Sequence, residues 1–234
     1  MQWIACNDYD DLSDRAAYRM LRAIRSHPRH VLGLPTGRTP IGTYQRVVQL
    51  CAREYRCFRE VVTFNLDEYV GIPPEHPGSY YSYMKKYLFD HVDIDAKTAN
   101  IPNGMAPDLE AECRRYEEEI ARAGGLHLTF LGLGRNGHIG FNEPGTPFHS
   151  RTRVVQLSES TRAANAELFT DGRVPTRAIT MGIATILESR SIVLLAGGAG
   201  KQEAIERLRS EVIDESFPAS ALWKHPDVTV LAQE

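Results

Sequence analysis

Leu126-His127-Leu128-Thr129-Phe130-Leu131 passes directly into Gly132-Leu133-Gly134-Arg135-Asn136-Gly137-His138, a short apolar run followed by a glycine-rich turn. Four other runs have the same character: His30-Val31-Leu32-Gly33-Leu34, Val61-Val62-Thr63-Phe64, Ser191-Ile192-Val193-Leu194-Leu195 and Val228-Thr229-Val230-Leu231. Their apolarity is continuous rather than alternating, the pattern of strands in a parallel sheet covered on both faces. Amphipathic segments between them predict helices over 11–26, 40–55, 80–89, 109–123, 160–169, 179–189 and 201–210. Thr39 before Pro40 sets a hydroxyl ahead of a first-turn proline, and Gly124-Gly125 gives a helix end.

Strands alternating with helices predict a doubly wound α/β protein. The expected architecture is one domain over residues 1–234, three layers in α/β/α order around a Rossmann-like, mostly parallel sheet. Its 234 residues are ample for one such core. With 27 basic and 30 acidic residues the formal net charge is −3, so no basic surface points to nucleic acid. No apolar run approaches the length that spans a membrane, and Met1–Asp8 lacks the features of a signal peptide, so a cytoplasmic protein is expected. Cys6, Cys51, Cys57 and Cys113 show neither a CxxC spacing nor a metal-ligand pattern and read as reduced thiols, with no metal site.

In such sheets ligands bind beyond the carboxyl ends of the strands, which directs attention to four loops. Leu34-Pro35-Thr36-Gly37-Arg38-Thr39-Pro40 combines a glycine, hydroxyls and a helix start, and reads either as a phosphate cradle or as a plain capped turn. Asn65-Leu66-Asp67-Glu68-Tyr69 sets two acids at a strand end, where desolvation makes one of them a carbon-acid base or a helix cap. Gly132–Gly145 carries five glycines in 14 residues around His138, with Asn136, Asn142 and Glu143. A histidine titrates near neutrality, and a nearby carboxylate fixes its tautomer. Ile72–Gly78, rich in proline, reads as a surface loop and a candidate lid.

Two matches mislead. Gly132–Gly137 fits G-x-G-x-x-G, yet the residues that follow, His138–Gly145, do not open the helix that a dinucleotide fingerprint requires. Gly197-Gly198-Ala199-Gly200-Lys201-Gln202 imitates a P-loop but has Leu195 for the first glycine and Gln202 for the metal-binding hydroxyl. Neither NAD nor ATP is supported as a cofactor. The second loop can still hold a phosphate through Lys201 at a helix start, without metal.

Taken together, Leu32–Gly37, Asn65–Tyr69, Ser79-Tyr80-Tyr81, Gly134–Gly145, Ser150-Arg151-Thr152-Arg153 and Phe217–Leu222 resemble the glucosamine-6-phosphate deaminase family over essentially the whole chain. The resemblance implies conversion of glucosamine 6-phosphate and water to fructose 6-phosphate and ammonia, with no metal or organic cofactor. It implies that His138 moves a proton between O5 and O1 to open the ring, with Glu143 orienting it and Asn136 assisting. Asp67 would transfer the C2 proton to C1 through an enolamine. Thr36, Gly37, Arg38 and Lys201 would receive the substrate, a small aminosugar phosphate. Some members have aspartate at the position of Asn136; asparagine adds no charge, which leaves the tuning of His138 mainly to Glu143.

The departures fall on the phosphate end. Glu167 stands where the family has a phosphate arginine, and Arg38 stands where the first loop usually has a second glycine. Either Arg38 supplies charge from the opposite wall, or it pairs with Glu167. The alternative is a deaminase of a different or unphosphorylated aminosugar. A sugar-phosphate lactonase on the same scaffold would not need Asp67, and a non-catalytic sugar-sensing module would carry a DNA-binding domain. The chain stops at Glu234, and Val155 stands where the allosteric site of longer members would want a lysine. A monomer or small homo-oligomer without allosteric activation is therefore expected.

Overall fold

The computed structural model describes residues 1–27, 29–52, 57–169, 172 and 174–233. Among them a seven-stranded sheet runs in the order β1 (Gln2–Cys6), β10 (Val228–Gln233), β9 (Ser191–Ala196), β6 (Leu128–Gly132), β2 (Val31–Leu34), β3 (Val62–Asn65), β5 (Ala99–Asn100). Each neighbouring pair is parallel. The four loops singled out in the sequence leave the carboxyl ends of β9, β6, β2 and β3, which are adjacent strands. They therefore converge on one edge of the sheet.

Consecutive strand residues point to opposite faces, and each face has its own core. Ile192, Leu194, Val228 and Val230 pack with α4 (Leu109–Arg122), α6 (Ile183–Leu187) and α7 (Gln202–Arg209). Val193, Leu195, Leu128 and Phe130 pack with α1 (Tyr9–Ser26), α2 (Ile41–Cys51) and α3 (Tyr80–Tyr87). This is the expected three-layer sandwich. Continuous apolarity in the strands follows from having no solvent face.

A second sheet was not anticipated. β4 (Asp67–Tyr69), β8 (Arg177–Thr180) and β7 (Arg153–Gln156) pair antiparallel in that order, with Asp67 opposite Thr180 and Thr180 opposite Arg153. Tyr69, Tyr80, Phe141, Leu157, Phe169 and Ala178 form its core.

Several expectations need correction. The predicted helix over 179–189 begins as β8, and helix resumes only at Ile183 after Gly182; pairing of Arg177–Thr180 with two strands outweighs local periodicity. Residues 160–169 form α5 (Glu159–Asn165) and then a tighter 3-10 turn, Ala166–Leu168. The Thr39 cap is not made: Pro40 itself is the cap of α2, without a side-chain bond. The end of the predicted 40–55 helix lies outside the described residues. Cys51 and Cys57 form a disulfide, so the reading of four reduced thiols holds only for Cys6 and Cys113, which are free and buried. The Cα atoms of Cys51 and Cys57 lie 5.7 Å apart, a closeness that a six-residue spacing does not announce. Gly124 and Gly125, at φ 90° and 80°, end α4 as expected.

Among the described residues no helix is long and apolar enough to cross a membrane.

Candidate active site

The loop after β6 folds tightly enough to set a histidine over its own backbone. The Gly134 N–H donates to the His138 carbonyl at 2.9 Å, and the Gly137 N–H to the Gly134 carbonyl at 3.0 Å. Gly134 lies under the imidazole, where a methyl would stand 2.3 Å from Nδ1. Gly137 has φ 82° and faces the ring of Phe217, so that a methyl there would come within 2.1 Å of it. Ala219 N–H donates to the Gly137 carbonyl at 2.8 Å. These contacts explain the Phe217–Leu222 motif, which clamps the histidine loop from outside.

His138 Nδ1 lies 2.7 Å from the Asn136 Oδ1, and the Asn136 Nδ2 donates to Glu143 at 2.8 Å. The amide can satisfy both neighbours only if Nδ1 carries the proton, which leaves Nε2 as an acceptor. Glu143 is in turn held by the hydroxyls of Thr161 and Ser158. Burial holds the pKa of His138 below its ordinary value; Glu143 opposes this and Lys201 adds to it. Glu143 thus reaches His138 through the Asn136 amide.

Asn142 fixes the rest of the loop. Its Nδ2 donates to the carbonyls of Ile139 and Met181, both at 2.9 Å, and its Oδ1 accepts from Arg153. Arg151 pairs instead with Glu188 and Glu117, away from the loop.

The two acids after β3 have different surroundings. Glu68 accepts the N–H groups of Tyr69, Tyr80 and Tyr81 at 2.8, 3.0 and 2.9 Å, and so binds the start of α3. Asp67 is 5% exposed and has no such set of donors. Burial, reinforced by the neighbouring Glu68, pushes its pKa up to about 8, while the Thr36 hydroxyl opposes the rise. Asp67 also meets the histidine loop: a methyl on Gly140 would stand 3.3 Å from its Oδ2. Asp67 therefore lies against the loop that carries His138.

Around this pair stand the other predicted residues. Thr36 acts on the titration of Asp67, and the Gly37 carbonyl accepts from Tyr83 at 2.7 Å. Arg38 and Glu167 form an ion pair, joining the loop after β2 to the 3-10 turn after α5. Lys201 donates to the Leu133 carbonyl, at the base of the histidine loop. The Pro-rich segment is an ordered surface loop: Ser79 and Ser82 donate to the Pro74 carbonyl at 2.6 and 2.8 Å, and His76 stacks on Phe169. Thr161 escaped the sequence reading, and Phe217 was read only as part of a recognisable motif.

No cluster of metal-ligating side chains exists among the described residues. The arrangement offers a neutral imidazole acceptor and a shielded carboxylate of high pKa, two groups suited to moving protons on a carbon skeleton.

A family model described as glucosamine-6-phosphate isomerases/6-phosphogluconolactonase matches residues 8–231. The chain is 52% identical over 235 residues to a glucosamine-6-phosphate deaminase of Shouchella clausii, covering 100% of this chain and 95% of that protein. It is 50% identical over 232 residues to glucosamine-6-phosphate deaminase 1 of Bacillus subtilis, covering 99% and 96%. Among solved structures, a monomeric glucosamine-6-phosphate deaminase matches with a TM-score of 0.97 and 49% identity, covering 100% of this chain and 98% of the other. A 6-phosphogluconolactonase from Thermotoga maritima matches with a TM-score of 0.77 at 18% identity, covering 98% and 97%, and shares the fold.

Proposed function

The chain belongs to the glucosamine-6-phosphate isomerase/6-phosphogluconolactonase family, and we propose from that premise that it converts glucosamine 6-phosphate and water into fructose 6-phosphate and ammonia. The observation that carries this reading is the buried Asp67 carboxylate, set against Gly140 of the histidine loop. A lactone hydrolase has no carbon-bound proton to move and no use for such a base.

Nε2 of His138 takes the proton of the sugar's O1 and returns it to O5, opening the ring to an aldehyde. Asn136 holds the tautomer this needs, and Glu143 balances the positive charge that develops on the imidazole. Ionised Asp67 then removes the C2 proton while the substrate's own C2 ammonium group gives a proton to O1, forming an enolamine, and Asp67 delivers its proton to C1. The C2 imine so formed adds water and releases ammonia. Each proton taken is returned, and neither oxidant nor reductant is needed.

Glu167 does not count against a phosphate ester. Its carboxylate is bonded to Arg38, so its charge is compensated at the mouth of the site. The relatives' names support the same substrate.

Ammonia release from a panel of free and phosphorylated aminosugars tests the proposal. Turnover of glucosamine 6-phosphate that disappears in Asp67→Asn is expected. Absence of ammonia from every member of the panel would overturn it.

A further inference from the structure

We propose that Arg135 is a phosphate-binding residue of this site and acts with Lys201 on the substrate's phosphate group. The inference rests on the reading of the substrate as an aminosugar phosphate.

β6 and β9 are neighbours, and the loops at their carboxyl ends are stitched together by two cations. Arg135, from the loop after β6, lies across the loop after β9: a methyl on Gly200 would stand 3.1–3.4 Å from its guanidinium, which donates to the Ala199 carbonyl at 3.3 Å. Lys201, from the loop after β9, reaches back to the Leu133 carbonyl beneath the histidine loop. Each cation is held by a backbone carbonyl, and among the described residues neither has a carboxylate partner.

Two like charges kept close without a counter-ion repel, and both lie at the start of α7, whose N-terminal end adds further positive potential. Burial and then Arg135 lower the pKa of Lys201, which places the two charges in one another's field. Gly198 and Gly200, at φ 100° and 78°, leave the loop backbone bare and exposed beside them. A dianion removes the repulsion, and a phosphate ester is the part of this substrate that carries one. Arg38, the other arginine at the site, is committed to Glu167. Lys201 also acts on the titration of His138, so the cationic end and the ring-opening end are within electrostatic reach.

The test measures binding of inorganic phosphate by calorimetry, and KM for glucosamine 6-phosphate, in the full chain, in Arg135→Gln and in Arg135→Lys. Arg135→Gln should raise both the phosphate Kd and KM by about tenfold, as expected for loss of a charge-assisted contact. Arg135→Lys, which keeps the charge, should raise both by less. A change below about threefold in both quantities for Arg135→Gln overturns the inference, because an arginine touching the phosphate contributes more than that. If phosphate binding depends on Arg135 but the unmutated chain releases no ammonia from glucosamine 6-phosphate, the anion site stands and the proposed reaction falls.

Discussion

The Asn136 amide stands between Glu143 and His138, with its Oδ1 2.7 Å from the imidazole Nδ1 and its Nδ2 2.8 Å from the carboxylate. A neutral group therefore passes orientation from an acid to a base without placing full negative charge beside the ring.

Asn136→Asp changes that balance. A carboxylate against Nδ1 stabilises imidazolium and raises the pKa of His138, which burial holds low. The base must be neutral to accept a proton, so the imidazole resonances of His138, followed by NMR, should titrate at higher pH than in the unmutated protein, by roughly one unit for a direct charged contact. An unmoved imidazole titration would remove Asn136 from this position in the mechanism.

Asp67→Asn should separate activity from stability. The folded carboxyl titrates near 8 and the unfolded one near 3.8. Across that window the unfolded chain releases a proton that the folded chain keeps, so Asp67 makes the protein less stable as pH rises. The variant should lose activity by at least about a thousandfold. It should also melt several degrees above the unmutated protein at alkaline pH, because an uncompensated buried charge costs a few kcal/mol. The gain should shrink toward pH 5, where the native carboxyl is protonated in the folded chain. Thermal melts at the two pH values check this.

Thr36→Val and Glu68→Gln should shift the same titration in opposite directions. Thr36 lowers the pKa of Asp67 and Glu68 raises it. The rise of kcat/KM toward alkaline pH should therefore move up in Thr36→Val and down in Glu68→Gln. Glu68→Gln leaves three backbone N–H groups a neutral acceptor, and it also removes a carboxyl whose pKa burial raises to about 7, so the stability of the variant relative to the unmutated protein should rise as pH goes from about 5 to 7. Parallel pH profiles and denaturant titrations separate the two effects.

Gly134→Ala and Gly137→Ala should fail differently. At Gly134 the methyl meets the imidazole, so kcat should fall by about a hundredfold through misplacement of the ring. At Gly137 it meets Phe217 in a left-handed backbone conformation, so the larger loss, at least about 1–3 kcal/mol, should appear in folding stability. Kinetics and unfolding of both variants provide the comparison.

Much of this was legible in the sequence, and what was missed shares a cause. β2, β3, β6, β9 and β10 announce themselves because two-faced burial demands uninterrupted apolar residues. β4, β7 and β8 do not. They are three- or four-residue segments mixing charged and apolar side chains, and only their mutual pairing makes them strands. At the site, Asp67, His138 and Glu143 stood out because ionisable groups in glycine-rich or strand-end turns are costly without a use. The central place of Asn136 did not stand out, because it depends on how tightly the turn closes. Thr161 reaches Glu143 from α5, and Glu68 reaches the start of α3; both contacts exist only once separate elements have docked. Arg135 was visible within the histidine loop, but its meaning required the loop of the neighbouring strand.

β8 pairs on one side with Asp67 and on the other with β7, and the chain between β7 and β8 carries both Thr161 and Glu167. Asp67 and the segment carrying Thr161 and Glu167 are thus joined through one three-stranded sheet. Remodelling residues 157–176 to admit a bulkier sugar would disturb the alignment of Asp67, even with every residue that touches the substrate left intact. On the proposed reaction, redesign of selectivity in this segment therefore calls for readjustment of the strand that holds Asp67.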